Sequence, residues 1–143
     1  MKIHQLSLFL ENKPGQLTEP CRLLAQANIN IRTLNLADTA EFGILRLIVS
    51  DWEKGARILL GAGYVVNVTE VVAVEVPDRP GGLAELLAVF EKTDINIEYM
   101  YAFAFGRAET AVIIFRFNKP DAAIERLRSA GISVLGSSEV YTG

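Results

Sequence analysis

Two short stretches determine the interpretation of this chain: "ENKPGQL" at residues 11–17 and "PDRPGGL" at residues 77–83. Each interrupts an apolar run with a Pro-Gly pair, and helix-forming residues follow at once. Proline fixes its own φ and disfavours helix at the residue before it, while glycine adopts backbone angles closed to other residues. Both stretches therefore predict a tight turn between the end of a strand and the start of a helix.

The surrounding sequence repeats at the same spacing. The segments "NINI" at 28–31 and "DINI" at 94–97 lie 66 positions apart, as do the two Pro-Gly pairs. Further on, "AGYVV" at 62–66 and "AGISV" at 130–134 lie 68 positions apart, so the second copy has two extra residues. A match that runs the length of the chain indicates an internal duplication.

The duplication predicts one domain at residues 1–69 and a second at residues 70–143. In the first strand, Leu6, Leu8 and Leu10 alternate with other residues at the period of a sheet with one covered face. The helix after the second Pro-Gly pair carries an apolar stripe at helical spacing. We therefore predict an α+β fold of two tandem βαββαβ ferredoxin-like units, with antiparallel sheets and helices on one face.

Composition excludes several classes of partner and site. The chain has 143 residues and a net charge of −3, which gives no electrostatic reason to expect nucleic acid or an anionic membrane. No apolar run approaches the roughly 20 residues that span a bilayer. Cys21 is the only cysteine, so no intrachain disulfide forms and we expect a cytoplasmic protein. His4 is the only histidine, and we predict neither a metal site nor a cofactor.

The two loops are candidate binding sites. The helix after each loop begins with N–H groups that lack an intrahelical partner and carry partial positive charge. Asn12 and Asp78 lie at the loop rims, and Asn30 and Asn96 follow 18 positions later. Because we expect the helix to return the chain to the same end of the sheet, each loop should lie beside its later asparagine.

Such a pair of groups suits a free amino acid. Backbone amides bind a carboxylate, and the oxygen of an Asn or Asp side chain binds an ammonium group. The same residues also suit a helix start with no ligand, and the residue pattern alone does not separate the two interpretations.

The segments "LFLENKPGQL…ANINI" and "VEVPDRPGGL…TDINI", in their βαββαβ order, resemble the ACT domain, a small ligand-sensing module found in enzymes of amino-acid metabolism. The resemblance covers the whole chain as two copies. It implies ligands at the interface of two ACT units, between the first loop of one and a strand or helix of its neighbour. It also implies ligand contacts from Asn12 with Asn30 and from Asp78 with Asn96. Asp78 departs from the family pattern, because its carboxylate repels a carboxylate, which leaves open whether both copies bind the same ligand.

The predicted ligand-binding residues combine the loops, the end of each preceding strand and the later asparagines. They are Leu10, Asn12, Pro14, Gly15, Gln16, Leu17 and Asn30 in the first copy, and Val76, Asp78, Arg79, Pro80, Gly81, Gly82, Leu83 and Asn96 in the second.

An aromatic stripe follows "DINI" on one face of a predicted strand: Tyr99, Tyr101, Phe103 and Phe105. The opposite face carries smaller side chains that admit a helix, so the stripe should lie on the open side of the sheet. An apolar patch of this size favours burial in a homodimer. Ordinary core packing and stacking of RNA bases are the alternatives, and the acidic net charge counts against RNA.

These observations predict a stand-alone regulatory or sensor protein that binds a free amino acid or a similar zwitterion, forms a homodimer and acts on a metabolic enzyme. The alternative is an assembly module that binds other proteins and has no small-molecule ligand. A small enzyme is a third possibility, for which Glu98 and Asp78 are the only candidate acids or bases. No catalytic residue is predicted, because no nucleophile comes with an identifiable base.

Overall fold

The structure, a computed structural model, describes residues 2–38, 41–103 and 109–141. These residues form two compact units, an N-terminal unit, His4–Thr69, and a C-terminal unit made mainly of Glu70–Tyr141. Among the described residues, no helix has the length and apolar character needed to cross a membrane.

The N-terminal unit follows the predicted order of elements. They are β1 (Ile3–Glu11), α1 (Thr18–Gln26), β2 (Ile31–Asp38), β3 (Phe42–Val49), α2 (Trp52–Gly61) and the start of β4 (Val66–Pro77). The strand order is β2-β3-β1-β4, and β3 pairs antiparallel with both β1 and β2. Strand β2 is therefore the edge of this sheet.

The C-terminal unit repeats the pattern with two changes, a shortened last strand and an additional helix after it. It contains the rest of β4, then α3 (Gly82–Ala88), β5 (Ile97–Ala102), β6 (Thr110–Phe117), α4 (Pro120–Ser129) and α5 (Ser137–Tyr141). The order β4-β6-β5 is antiparallel, and β5 is an edge strand. The fourth strand of this copy is reduced to a single bridge between Val74 and Val134. The predicted fold of two βαββαβ ferredoxin-like units is confirmed, with this shortened last strand.

Each sheet packs one face against its helices, as the period-2 pattern predicted. In the N-terminal unit the core joins β1 and β3 to the two helices through Leu6, Leu8, Leu10, Leu24, Leu45, Leu47 and Leu59. In the C-terminal unit the equivalent core contains Val72, Val74, Val76, Leu86, Phe115, Phe117 and Leu127. Burying one such side chain contributes about 1.5–3 kcal/mol, so these clusters hold the loops at the sheet ends in fixed positions.

The aromatic stripe does not form the open patch expected from the sequence. Tyr101 is only 9% exposed, and Ile114, its cross-strand partner, is fully buried. Tyr99 and Phe103 are half-buried, and Phe105 lies outside the described residues. Burial within one chain already covers much of this face, so the stripe no longer supports a homodimer.

Candidate functional site

The first Pro-Gly loop, residues 12–17, joins β1 to α1 and is fixed by backbone hydrogen bonds. The Asn12 amide donates to the Glu41 carbonyl at 3.0 Å, and the Thr18 amide donates to the Gly15 carbonyl at 3.3 Å. Gly15 has a φ of +85°, and a Cβ added there would meet no atom within 4 Å. Glycine is therefore required for the backbone conformation of the loop, not for lack of space.

The start of α1 offers fewer amide donors than the sequence suggested. Leu17 is the N-cap and makes no side-chain cap hydrogen bond. Thr18 already donates within the loop, and Pro20, in the first turn, has no N–H to donate. The first turn also carries the Glu19 carboxylate, 2.6 Å from the Arg22 guanidinium, which places negative charge at the positive end of the helix dipole. An anion at this loop needs further donors from elsewhere.

A small pocket lies beside this loop. Its volume is about 70 Å³, and its lining residues are Leu10, Glu11, Asn12, Lys13, Gln16, Leu17, Leu36 and Gly43. This volume holds roughly two waters at about 30 Å³ each, fewer than the non-hydrogen atoms of any free amino acid. We call it the loop pocket. By itself it is large enough for only part of a small-molecule ligand.

Strands β2 and β3 supply two lining residues that sequence reasoning missed, Leu36 and Gly43. Gly43 lies opposite Leu10 in the β1–β3 register and is buried. A Cβ added at Gly43 would lie 3.2 Å from the Leu36 Cδ1 atom, so the absent side chain leaves the floor of the pocket open. Finding these residues requires the strand register, which no local sequence signal gives.

Asn30 lies at the opposite end of the sheet from the loop pocket. Its amide donates to Ser50 Oγ at 3.0 Å, and its carbonyl accepts from the Ser50 amide at 2.9 Å. The Asn12 amide is instead hydrogen-bonded to the Glu41 carbonyl. The extended segment from Glu41 to Ser50 spans about 30 Å at roughly 3.3 Å per residue, and this length separates Asn12 from Asn30. The expectation that Asn12 and Asn30 share one site within a unit is wrong. Strand β1 runs toward the loop and α1 runs back, so β2 begins at the end where β1 began.

The second copy has the same geometry. The Asp78 amide donates to the Glu109 carbonyl at 3.0 Å, as Asn12 does to Glu41. At the far end of β6, the Asn96 amide donates to Asn118 Oδ1 at 2.7 Å, and the Asn96 carbonyl accepts from the Asn118 amide at 3.1 Å. Asp78 and Asn96 are therefore separated in the same way, and the expected pairing of these two residues within one unit is also wrong.

An ion pair bridges the second Pro-Gly loop. The Arg79 guanidinium donates to both carboxylate oxygens of Glu85, at 3.2 and 2.9 Å. Gly81 is the N-cap of α3 and has a φ of +86°.

Val76 is buried in the core, whereas Leu83 is exposed. Both residues remain predicted ligand-binding residues.

Gly82 lines a larger pocket on the other side of the second loop. This pocket has a volume of about 250 Å³ and is lined by Glu75, Pro77, Gly82, Glu85, Leu86, Val89, Ala130 and Ile132. Of the residues predicted from the second copy, only Gly82 contributes to it.

Three other candidate residues, His4, Cys21 and Glu98, have the surroundings of side chains that stabilise the fold. His4 stacks on Trp52 with ring centroids 4.3 Å apart, and Cys21 is half-buried on α1. The Glu98 carboxylate lies 3.2 Å from the Arg116 guanidinium on the sheet. Within the described ranges, no group of three or more His, Cys, Asp or Glu side chains could hold a metal ion.

With this geometry established, comparison with known proteins decides the family. The model for the ACT domain pair matches residues 1–142. This chain belongs to the ACT domain pair family. The resemblance drawn from the two Pro-Gly loops is confirmed over both units, and no curated protein matches the sequence.

Solved structures place this ACT domain pair among similar folds. Protein BT0572 from Bacteroides thetaiotaomicron is 40% identical, with a TM-score of 0.93, over 100% of this chain and 98% of that chain. The ligand-free regulatory subunit of aspartate kinase from Thermus thermophilus is 15% identical, with a TM-score of 0.61, over 89% and 91%. Aspartokinase III from E. coli, in complex with lysine and aspartate, is 18% identical, with a TM-score of 0.52, over 91% of this chain and 31% of that chain. At these lower identities the likeness to the kinases concerns the fold alone.

Proposed function

We propose that this ACT domain pair is a cytoplasmic regulatory sensor that binds a free amino acid, or a similar small zwitterion, between two copies of the chain. The observation that carries the proposal is the loop pocket. It lies at one end of edge strand β2 and is too small by itself, while Asn30 lies at the other end of the same strand.

Pairing of two β2 edges completes the site. In an antiparallel pair related by a two-fold axis, the start of one strand lies beside the end of the other. Asn30 of the second copy then approaches Leu36 and Asn12 of the first, and the reverse contact forms at the other end. Each dimer has two such sites, and neither is complete in a single chain.

The surface around β2 suits such a contact. On the helix side of the sheet, Leu34 is 53% exposed and Leu36 is 47% exposed, and Leu17 at the loop is exposed beside them. Full burial of a leucine contributes about 1.5–3 kcal/mol, so burying the exposed part of each of these three side chains contributes roughly half as much. Met100 on edge strand β5 and Leu83 repeat the arrangement in the C-terminal unit.

The polar groups suit a zwitterion. The carboxamides of Asn12 and Asn30 each present a donor and an acceptor, and the ion pair of Lys13 Nζ with Glu11 Oε2, 2.5 Å apart, places one charge of each sign at the rim. Charge-assisted hydrogen bonds contribute about 1.5–3 kcal/mol each, and two or three of them give roughly micromolar to millimolar affinity after association costs. A ligand that stabilises one packing of the two copies by about 1–3 kcal/mol would shift the population toward that packing. An enzyme that binds this packing would then respond to the ligand.

Thermal-shift measurements with each of the twenty amino acids test the ligand. We expect at least one to raise the melting temperature at millimolar concentration, and Asn12→Ala and Asn30→Ala each to abolish the rise. Asn67→Ala removes an exposed asparagine of β4 and is the matched control. The proposal fails if no amino acid has an effect, or if both loop-pocket variants respond like wild type.

A mixing experiment tests whether two copies share the site. The Asn12→Ala and Asn30→Ala chains bind no ligand alone, but a mixed dimer has one site with both asparagines intact. We expect ligand binding to return after the two variants are unfolded and refolded together, with at most one site per mixed dimer. Binding that stays absent in the mixture would contradict a shared site.

The runner-up is an assembly module, which the exposed leucines along β2 also favour. In that case Leu34→Ser would weaken self-association, and no amino acid would change the dimer affinity measured by sedimentation.

A further inference from the structure

The pocket of about 250 Å³ beside the second loop corresponds, through the duplication, to a place in the N-terminal unit where a half-buried tyrosine packs against the core. We call it the β4–α3 pocket, because one wall is the C-terminal end of β4 at Glu75 and Pro77 and another is α3. Its far wall is Ala130 and Ile132, which follow α4. The duplication places Tyr64 at the position of Ile132.

The backbone is the same at these two positions. The Tyr64 amide donates to the Leu59 carbonyl at 3.1 Å, and the Ile132 amide donates to the Leu127 carbonyl at 3.0 Å. The residue before each is a glycine with positive φ, +93° in the first copy and +75° in the second. The side chains of Tyr64 and Ile132 therefore leave the backbone from equivalent places, and they differ in length.

Tyr64 shows which kind of side chain the N-terminal unit places at this position. Its ring is half-buried and packs against the core of the N-terminal unit. Burial, followed by the negative charge of Glu19, raises the pKa of its phenol. Glu19 corresponds to Glu85, which lines the β4–α3 pocket. The N-terminal unit thus holds a phenol where the C-terminal unit has open volume.

We propose that the β4–α3 pocket binds a small phenolic molecule, with its ring between Leu86, Val89 and Ile132 and its hydroxyl donating to Glu85. The volume equals roughly eight waters at about 30 Å³ each, comparable to the eight non-hydrogen atoms of p-cresol, the free side chain of tyrosine. Glu85 already accepts two hydrogen bonds from Arg79, and a carboxylate has about four acceptor positions. Arg126 Nε donates to the Val89 carbonyl at 3.0 Å, which fixes the wall next to the pocket.

This site is separate from the proposed amino-acid site. It uses none of the loop-pocket residues and needs no second copy of the chain. Asn12→Ala and Asn30→Ala should leave phenol binding unchanged, so the two proposals fail independently.

Titration of the full chain with p-cresol, followed by amide NMR shifts, tests the inference. We expect saturable shifts at millimolar p-cresol for Gly82, Leu86, Val89 and Ile132, and at least tenfold weaker binding of toluene, which has the ring without the hydroxyl. Absence of saturation would overturn the proposal, and toluene binding equal to that of p-cresol would overturn the role of Glu85.

Two exchanges between the copies complete the test. Ile132→Tyr supplies the phenol from the chain, as in the N-terminal unit, and should abolish p-cresol binding while raising the melting temperature. Tyr64→Ile should open the equivalent space and produce a second set of shifts around Glu19. Binding to Ile132→Tyr with wild-type affinity would refute the site, and a Tyr64→Ile variant that folds and gains no new shifts would refute the equivalence of the two positions.

Discussion

Gly82→Ala tests how closely the second loop is packed. The turn brings the Pro77 carbonyl toward the start of α3, where the Gly82 amide donates to the Arg79 carbonyl at 3.0 Å. A Cβ added at Gly82 would lie 2.2 Å from the Pro77 oxygen. Non-bonded heavy atoms prefer a separation of about 3.5 Å or more. The backbone must therefore move by roughly 1 Å or more to relieve this contact. The contact joins a backbone oxygen to a Cβ atom, so no flexible side chain can rotate away to relieve it.

The expected cost follows from overpacking, about 1–3 kcal/mol. At roughly 4 °C of melting temperature per kcal/mol for a chain of this size, we expect Gly82→Ala to melt about 4–12 °C below wild type. Differential scanning calorimetry measures the shift. Gly61→Ala is the matched control, because Gly61 ends α2 and an added Cβ there meets nothing within 4 Å. This variant should be neutral or up to about 1 kcal/mol more stable.

The reasoning would be refuted if Gly82→Ala melted within about 1 °C of wild type, a difference of only a few tenths of a kcal/mol. A loss of stability equal in both variants would also refute it, because the contact with Pro77 exists only at Gly82.

Two further predictions concern pH. A hydrogen bond from Lys119, followed by its charge, lowers the pKa of Asp94, so this stabilisation is present above the unfolded pKa of about 3.9 and is lost as pH falls through the folded value. The difference in melting temperature between wild type and Asp94→Asn should therefore disappear in acid, and a constant difference down to pH 2 would contradict the pairing. Burial and Glu19 raise the pKa of Tyr64, so its neutral phenol stabilises the fold below the unfolded pKa of about 10, and this contribution is lost as pH rises through the folded value. Wild type should lose melting temperature faster than Tyr64→Phe above about pH 10, and parallel curves would count against a desolvated phenol.

Local patterns predicted the fold well. The period of two predicts that Leu6, Leu8 and Leu10 share one buried face, and all three lie in the core. The Pro-Gly pairs predict turns before helices, and Gly15 and Gly81 have the positive φ that only glycine adopts easily. These features depend on residues close together in the chain, which is why the sequence alone reveals them.

The candidate site was predicted less well. The spacing of 18 residues between Asn12 and Asn30 is the same in both copies, but a spacing does not tell which end of a sheet a residue occupies. That depends on the direction in which α1 runs, and the structure places the two residues at opposite ends. Gly43 was missed because its role depends on the partner that the strand register places beside it.

The sequence by itself determined the duplication, the element order and the position of both loops, because backbone constraints and hydrophobic periodicity act over a few neighbouring residues. Only the tertiary structure decided which residues share a pocket and whether that pocket is filled. Tyr64 and Ile132 occupy matched positions in the repeat, yet Tyr64 packs a half-buried ring against its core and Ile132 borders about 250 Å³ of open volume. The volume beside a side chain depends on elements brought together from distant parts of the chain, and no local pattern records it.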